Sequence, residues 1–217
     1  MAVKSYANML GEMSNAMNGA LNSEEIIIRM ERYGYTSERI TEEGLNRLDN
    51  VHQLFALQRK EYGEQHDANA VSTDLQNETR SAYMDHVRLS RIALKNFPGA
   101  LHSISATGSR KRSVAGFLKE ARTFYLNMLD QPRLLEAMER FNITAEELQA
   151  GLDRVDKAEK SYQVFLKEKG EAQDSTIVRD EAFDELYNWY SEFRAVARIA
   201  LADRPQLLEK MGIIVKR

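Results

Sequence analysis

The sequence predicts an all-α fold made by tandem duplication of one helical unit. Two observations carry this expectation. Only three prolines, Pro98, Pro132 and Pro205, interrupt the 217 residues. The intervals between them are rich in Ala, Leu, Glu, Arg, Lys and Gln, which favour helix, and no segments alternate at period two. The chain also matches itself. Arg91-Ile92-Ala93-Leu94 recurs as Arg198-Ile199-Ala200-Leu201, an offset of 107. In the same register Pro98 meets Pro205, Gly44-Leu45 meets Gly151-Leu152, Gly63-Glu64 meets Gly170-Glu171, and Tyr83 meets Tyr190. Nearer the start of each copy the offset is 108, where Met30-Glu31-Arg32 meets Met138-Glu139-Arg140 and Thr36 meets Thr144. Shared helical composition does not place glycine, proline and a tetrapeptide in one register, whereas duplication with one indel does. The copies are bounded at 1–107 and 108–217, with Ala106–Arg112 the most linker-like stretch.

Each element is read twice, once per copy. The first helix spans about 5–20 and 113–128, with Ser5 and Ser113 suited to the N-cap. Its stripe in the second copy, Val114, Phe117, Leu118, Ala121, Phe124, Tyr125 and Met128, repeats at i, i+3, i+4, i+7. The second is short, about 23–33 and 131–141, with Pro132 tolerated in its first turn. The third starts after Thr36 and Thr144 and runs to about Asp67 and Ala172; Thr144-Ala145-Glu146-Glu147 has capping-box spacing. The fourth covers about 74–96 and 178–203, and a last short helix follows each proline, 98–105 and 205–211. A short polar turn between the third and fourth predicts a long antiparallel hairpin in each copy. Two hairpins then form a four-helix-bundle-like core with shorter flanking helices, one compact pseudo-two-fold domain.

Bulk chemistry narrows the function classes. With 30 basic and 33 acidic side chains the formal charge is −3, which argues against general nucleic-acid or membrane-surface binding. There are no cysteines, so disulfides, thiolate metal sites and cysteine nucleophiles are excluded. The N-terminus lacks the apolar stretch of a signal peptide, and no run approaches a membrane span. The expected location is the cytoplasm.

Gly170-Glu171-Ala172-Gln173-Asp174, Arg198-Ile199-Ala200-Leu201 and Pro205-Gln206-Leu207-Leu208-Glu209-Lys210-Met211-Gly212-Ile213 resemble a bacterial family of all-α proteins with two tandem helical repeats. Phe141-Asn142-Ile143-Thr144 and Phe117-Leu118 before Phe124-Tyr125 resemble the same family. The resemblance covers Gly108 to the end and, more weakly, the first copy, where Met9, Met13 and Met17 replace aromatics. It implies the all-α fold and brings no activity and no catalytic residues.

Four groups of side chains are candidates for chemistry. Arg110-Lys111-Arg112 precedes Ser113 and could grip an anion at a helix N-terminus; otherwise it is a solvated linker. Arg91 and Arg198 interrupt apolar faces in both copies and are read as structural ion-pair residues, with Asp49 and Glu78, and Asp156 and Glu185, as partners. The four histidines, His52, His66, His86 and His102, all lie in the first copy, and their spacing fits no shared metal. The aromatic run Phe183, Tyr187, Trp189, Tyr190 and Phe193 is read as core, and the stripe Met9, Met13, Met17 as flank packing. No catalytic residue, metal or cofactor is expected. The expected function is a non-enzymatic structural or protein-interaction module, with a homodimer or another protein as partner. The alternative is a small-ligand or anion binder near the inter-repeat basic segment.

Overall fold

The computed structural model describes residues 5–214. Residues 1–4, part of the N-terminus read above for a signal peptide, lie outside the described residues. The described chain is all helical. It runs α1 (Tyr6–Leu21), α2 (Glu24–Glu31), α3 (Ser37–Arg39), a π-helical turn (Ile40–Leu45), α4 (Asn46–Ala93), α5 (Pro98–Ser103), α6 (Val114–Leu129), α7 (Pro132–Glu139), α8 (Ala145–Ala200) and α9 (Gln206–Lys210). Four hydroxyls start helices as expected. Ser5 accepts from the Asn8 amide, Thr36 from Arg39, Ser113 from Gly116 and Thr144 from Glu147.

The hairpins do not form. α4 continues unbroken for 48 residues and α8 for 56, through both segments expected to turn. The reason is local. Residues 68–73 and 173–177 mix polar with apolar side chains and contain neither glycine nor proline. Their hydroxyls are satisfied inside the helix: Ser175 and Thr176 donate to the Ala172 carbonyl, and Ser72 accepts from Gln76. A run whose polar side chains are satisfied leaves the backbone ladder as the best use of its N–H groups.

The chain packs as two compact units. The first comprises residues 1–61 and 172–217, the second residues 62–171. In the first, α1, α2 and the start of α4 close on the later part of α8 and on α9. Its core holds Met13, Met17, Met30, Tyr35, Trp189 and Phe193. In the second, α6, α7 and the start of α8 close on the later part of α4 and on α5, around Tyr83, Phe117, Phe124, Tyr125 and Met138.

Gly44 and Gly151, 107 residues apart, do similar work in the two cores. A Cβ on Gly44 would lie 2.5 Å from the Trp189 ring, and one on Gly151 would run into the Tyr125 ring. Both glycines let a helix approach an aromatic ring that fills the core. The π-helical turn lies where the sequence offset changes from 108 to 107. Ile40 and Leu148 correspond at 108 and are both fully buried, whereas Gly44 and Gly151 correspond at 107. One more residue separates Ile40 from Gly44 than separates Leu148 from Gly151, and the π turn spans that interval. Glu43 within that turn accepts from Arg39 Nε at 3.0 Å and from Trp189 Nε1 at 2.9 Å.

Candidate functional site

A cavity of 680 Å³ in the second unit lies between α7 and the junction of α4 with α5. Two prolines shape its walls. Phe97 precedes Pro98 and is held out of helical geometry (φ −124°, ψ 71°), so α4 ends and α5 restarts with Pro98 in its first turn. Gln131 precedes Pro132 in the same way (φ −120°, ψ 101°) and sets the start of α7. Leu94 and Leu134, both nearly inaccessible, form the apolar base. Phe97 is 53% exposed, a large apolar surface left open at the mouth. Arg133, Glu136 and Arg140 are exposed around it, and the Arg133 guanidinium stands 5.9 Å from the Phe97 ring centroid.

A second cleft, in the first unit, carries different chemistry. There the cleft between α2 and the end of α8 is 440 Å³, lined by Glu24, Glu25, Ile28, Arg29, Arg32 and Asp203. Ion pairs span it. Arg29 reaches Asp203 at 2.6 Å, Arg204 reaches Glu25 at 3.0 Å, and Arg29 also reaches Glu25 at 3.6 Å. The hydrogen bond from Arg29 holds the Asp203 carboxyl below its usual range. The four tied residues, Glu25, Arg29, Asp203 and Arg204, correspond to Arg133, Ala137, Asn96 and Phe97. Those four residues include no acid, so the ion pairs of the first cleft have no equivalent among them.

The other expected residues have definite places. Arg110 bends back from the linker. Its guanidinium pairs with Glu120 at 3.0 Å, donates to Tyr83 Oη and donates to the Ser105 and Thr107 carbonyls. Lys111 and Arg112 are exposed, and the Ser113 hydroxyl caps α6. Arg91 donates to the Ala106 and Gly108 carbonyls, at 2.7 and 2.9 Å. Two arginines thereby hold four successive linker carbonyls. Asp156 pairs with Arg122 at 2.6 Å, and Asp49, Glu78, Glu185 and Arg198 are exposed.

His86 is buried, while His52, His66 and His102 are exposed. Its Nδ1 lies 3.0 Å from Tyr125 Oη and its Nε2 3.5 Å from Glu147 Oε1. Burial pushes its pKa below the ordinary histidine value, against the pull of Glu147. Burial also raises the Tyr125 hydroxyl. Phe183, Trp189, Tyr190 and Phe193 are core, as are Met13 and Met17; Tyr187 is 43% exposed.

The cleft residues Phe97, Arg133 and Arg140 were not singled out by sequence. Their signal was a contrast between the copies, visible only once Arg29 is known to touch Asp203. No family model, no curated protein and no solved structure matches the chain. Among the described residues, no helix is long and apolar enough to cross a membrane.

Proposed function

We propose that the chain is a non-enzymatic protein-interaction module whose docking site is the open cleft between α7 and the α4–α5 junction. The observation that carries this reading is the contrast between two corresponding clefts. One is tied by Arg29–Asp203 and Arg204–Glu25, while the other exposes Phe97 over Leu94 and Leu134. Open clefts of several hundred Å³ with an apolar base and a few polar groups are typical binding sites. The basic segment Arg110–Ser113 is a weaker site, because Arg110 is spent on Glu120, Tyr83 and linker carbonyls.

The comparison rests on a tandem duplication of one helical unit. The π turn at the sequence slip supports it, as do the paired roles of Gly44 and Gly151. On this reading each unit joins the first part of one copy to the second part of the other. Unbroken α4 and α8 replace the hairpins that would have kept each copy to itself. One copy kept a cleft crossed by ion pairs and the other became the binding surface. The partner is another protein or a second copy of this chain, and the cysteine-free composition suits a cytoplasmic setting.

A peptide-display selection on the full-length protein tests the reading. The counter-screen is the double variant Asn96→Asp, Ala137→Arg, which rebuilds the Arg29–Asp203 tie in the open cleft. Peptides that bind the natural chain and lose the variant are expected. No enrichment, or enriched peptides that bind both proteins equally, would overturn it.

A further inference from the structure

The chemistry around the open cleft specifies its occupant more closely. This inference rests on the docking role given above. Three exposed charged groups surround the cleft, the guanidiniums of Arg133 and Arg140 and the carboxylate of Glu136. The cleft is therefore locally positive on a protein whose formal charge is −3. Both cations are arginines, whose planar forks engage carboxylates through two parallel hydrogen bonds. Among the described residues neither is tied in an ion pair across the cleft, whereas the first-unit cleft is crossed by such pairs. In the first unit, position 25 supplies the carboxylate that Arg29 and Arg204 share; in the second, the same position is Arg133.

The shape narrows the class further. The wall formed by α7 is eight residues long, about 12 Å or two helical turns. Its base is apolar over Leu94 and Leu134 and its mouth carries the half-exposed Phe97 ring. A short helix lying in such a groove offers anchors at i, i+3 or i+4, and i+7, with charged residues along its flanks. We propose that the cleft docks a short acidic amphipathic helix of a partner protein. Its aliphatic or aromatic side chains enter over Leu94, Leu134 and Phe97, and its Glu or Asp side chains meet Arg133 and Arg140. A basic helix would set its charges against both arginines and is excluded by repulsion.

The test uses the full-length protein and three dye-labelled peptides of about 14 residues, long enough for some four helical turns. All share Leu at i, i+4 and i+7. The flanks carry Glu in the first, Gln in the second and Lys in the third. Fluorescence anisotropy should show the Glu peptide binding roughly tenfold or more tightly than the Gln peptide, and the Lys peptide weakest. Added salt should weaken the Glu peptide selectively. The double variant Arg133→Glu, Arg140→Glu should reverse the order. Both positions are exposed, so circular dichroism should show an unchanged helical fold.

Gln or Lys peptides that bind as well as the Glu peptide, and that Asn96→Asp, Ala137→Arg still displaces, would overturn the acidic occupant and leave the docking site standing. Binding of the Glu peptide that ignores both double variants would overturn the site as well. No binding by any of the three peptides, together with no enrichment in the display selection, would overturn both.

Discussion

Arg29 donates two hydrogen bonds to Asp203, 174 residues further along the chain, at 2.6 and 2.9 Å. The two residues at the corresponding positions of the second unit, Ala137 and Asn96, cannot form that tie. A cleft crossed by ion pairs thus stands beside one without them.

The tie should be visible in an acid titration. Asp203 is held below the ordinary carboxylate pKa of about 3.9 by Arg29. A depressed folded-state pKa gives stability that is present above the unfolded value and is lost as pH falls through the folded value. The Asp203 carboxyl resonance should therefore titrate below about 3.9 in the natural protein and return toward it in Arg29→Ala. An unchanged titration in that variant would show that the pair is not formed in solution.

Two pairs of glycines should respond in opposite directions to alanine. At Gly44 and Gly151 the new methyl meets Trp189 and Met17, or Tyr125, so overpacking should cost about 1–3 kcal/mol. At Gly63 and Gly170, also within long helices, nothing stands within 4 Å of the new carbon. There the helix gains roughly 0.5–1 kcal/mol from alanine. Urea unfolding of the four single variants measures the contrast.

A one-residue deletion should be tolerated at one place and ruinous at the matching one. Deleting an interior residue rotates the rest of an α-helix by about 100°. Glu42 is exposed in the π turn that spans the longer interval, so its deletion should leave α4 in register and the melting temperature within about 5 °C. Deleting Gln149, exposed in the corresponding regular turn of α8, should turn Leu152 and Val155 out of the core and unfold the second unit. Thermal melts of the two variants decide.

These cases show what could be read from the residues. Caps at Ser5, Thr36, Ser113 and Thr144 were legible because a capping hydroxyl acts within three residues of its own position. The Phe183–Phe193 core was legible from helical periodicity, whereas Met13 and Met17, read as flank packing, are fully buried. The turn after Asp67 was misread, because polarity was taken for a break while the hydroxyls of Ser72 and Ser175 find partners inside the helix. The cleft was illegible. Its meaning depends on Arg29 meeting Asp203 and Arg204 meeting Glu25, pairings set by long-range packing rather than spacing.

Acid should also weaken the second unit through His86. Its pKa is lowered by burial, opposed by Glu147 and reinforced by Arg154, with Asp85 a further acid nearby. Below about 6.5 the unfolded chain takes up a proton that the folded one resists, so stability falls as pH drops through that region. The corresponding residue is the fully buried Phe193. Replacing His86→Phe together with its hydrogen-bond partner Tyr125→Phe should flatten the decline between pH 7 and 5, as followed by urea midpoints. A slope equal to that of the natural protein would assign the decline to other groups.

The account stands on the equivalence of the two clefts, and a crystal structure of Asn96→Asp, Ala137→Arg tests it most directly. The guanidinium introduced at position 137 should bond the carboxylate introduced at position 96 with the geometry of Arg29 on Asp203, and the 680 Å³ cleft should shrink toward the 440 Å³ of its counterpart. Introduced side chains that point apart, over a cleft that stays open, would show that the two places are not counterparts.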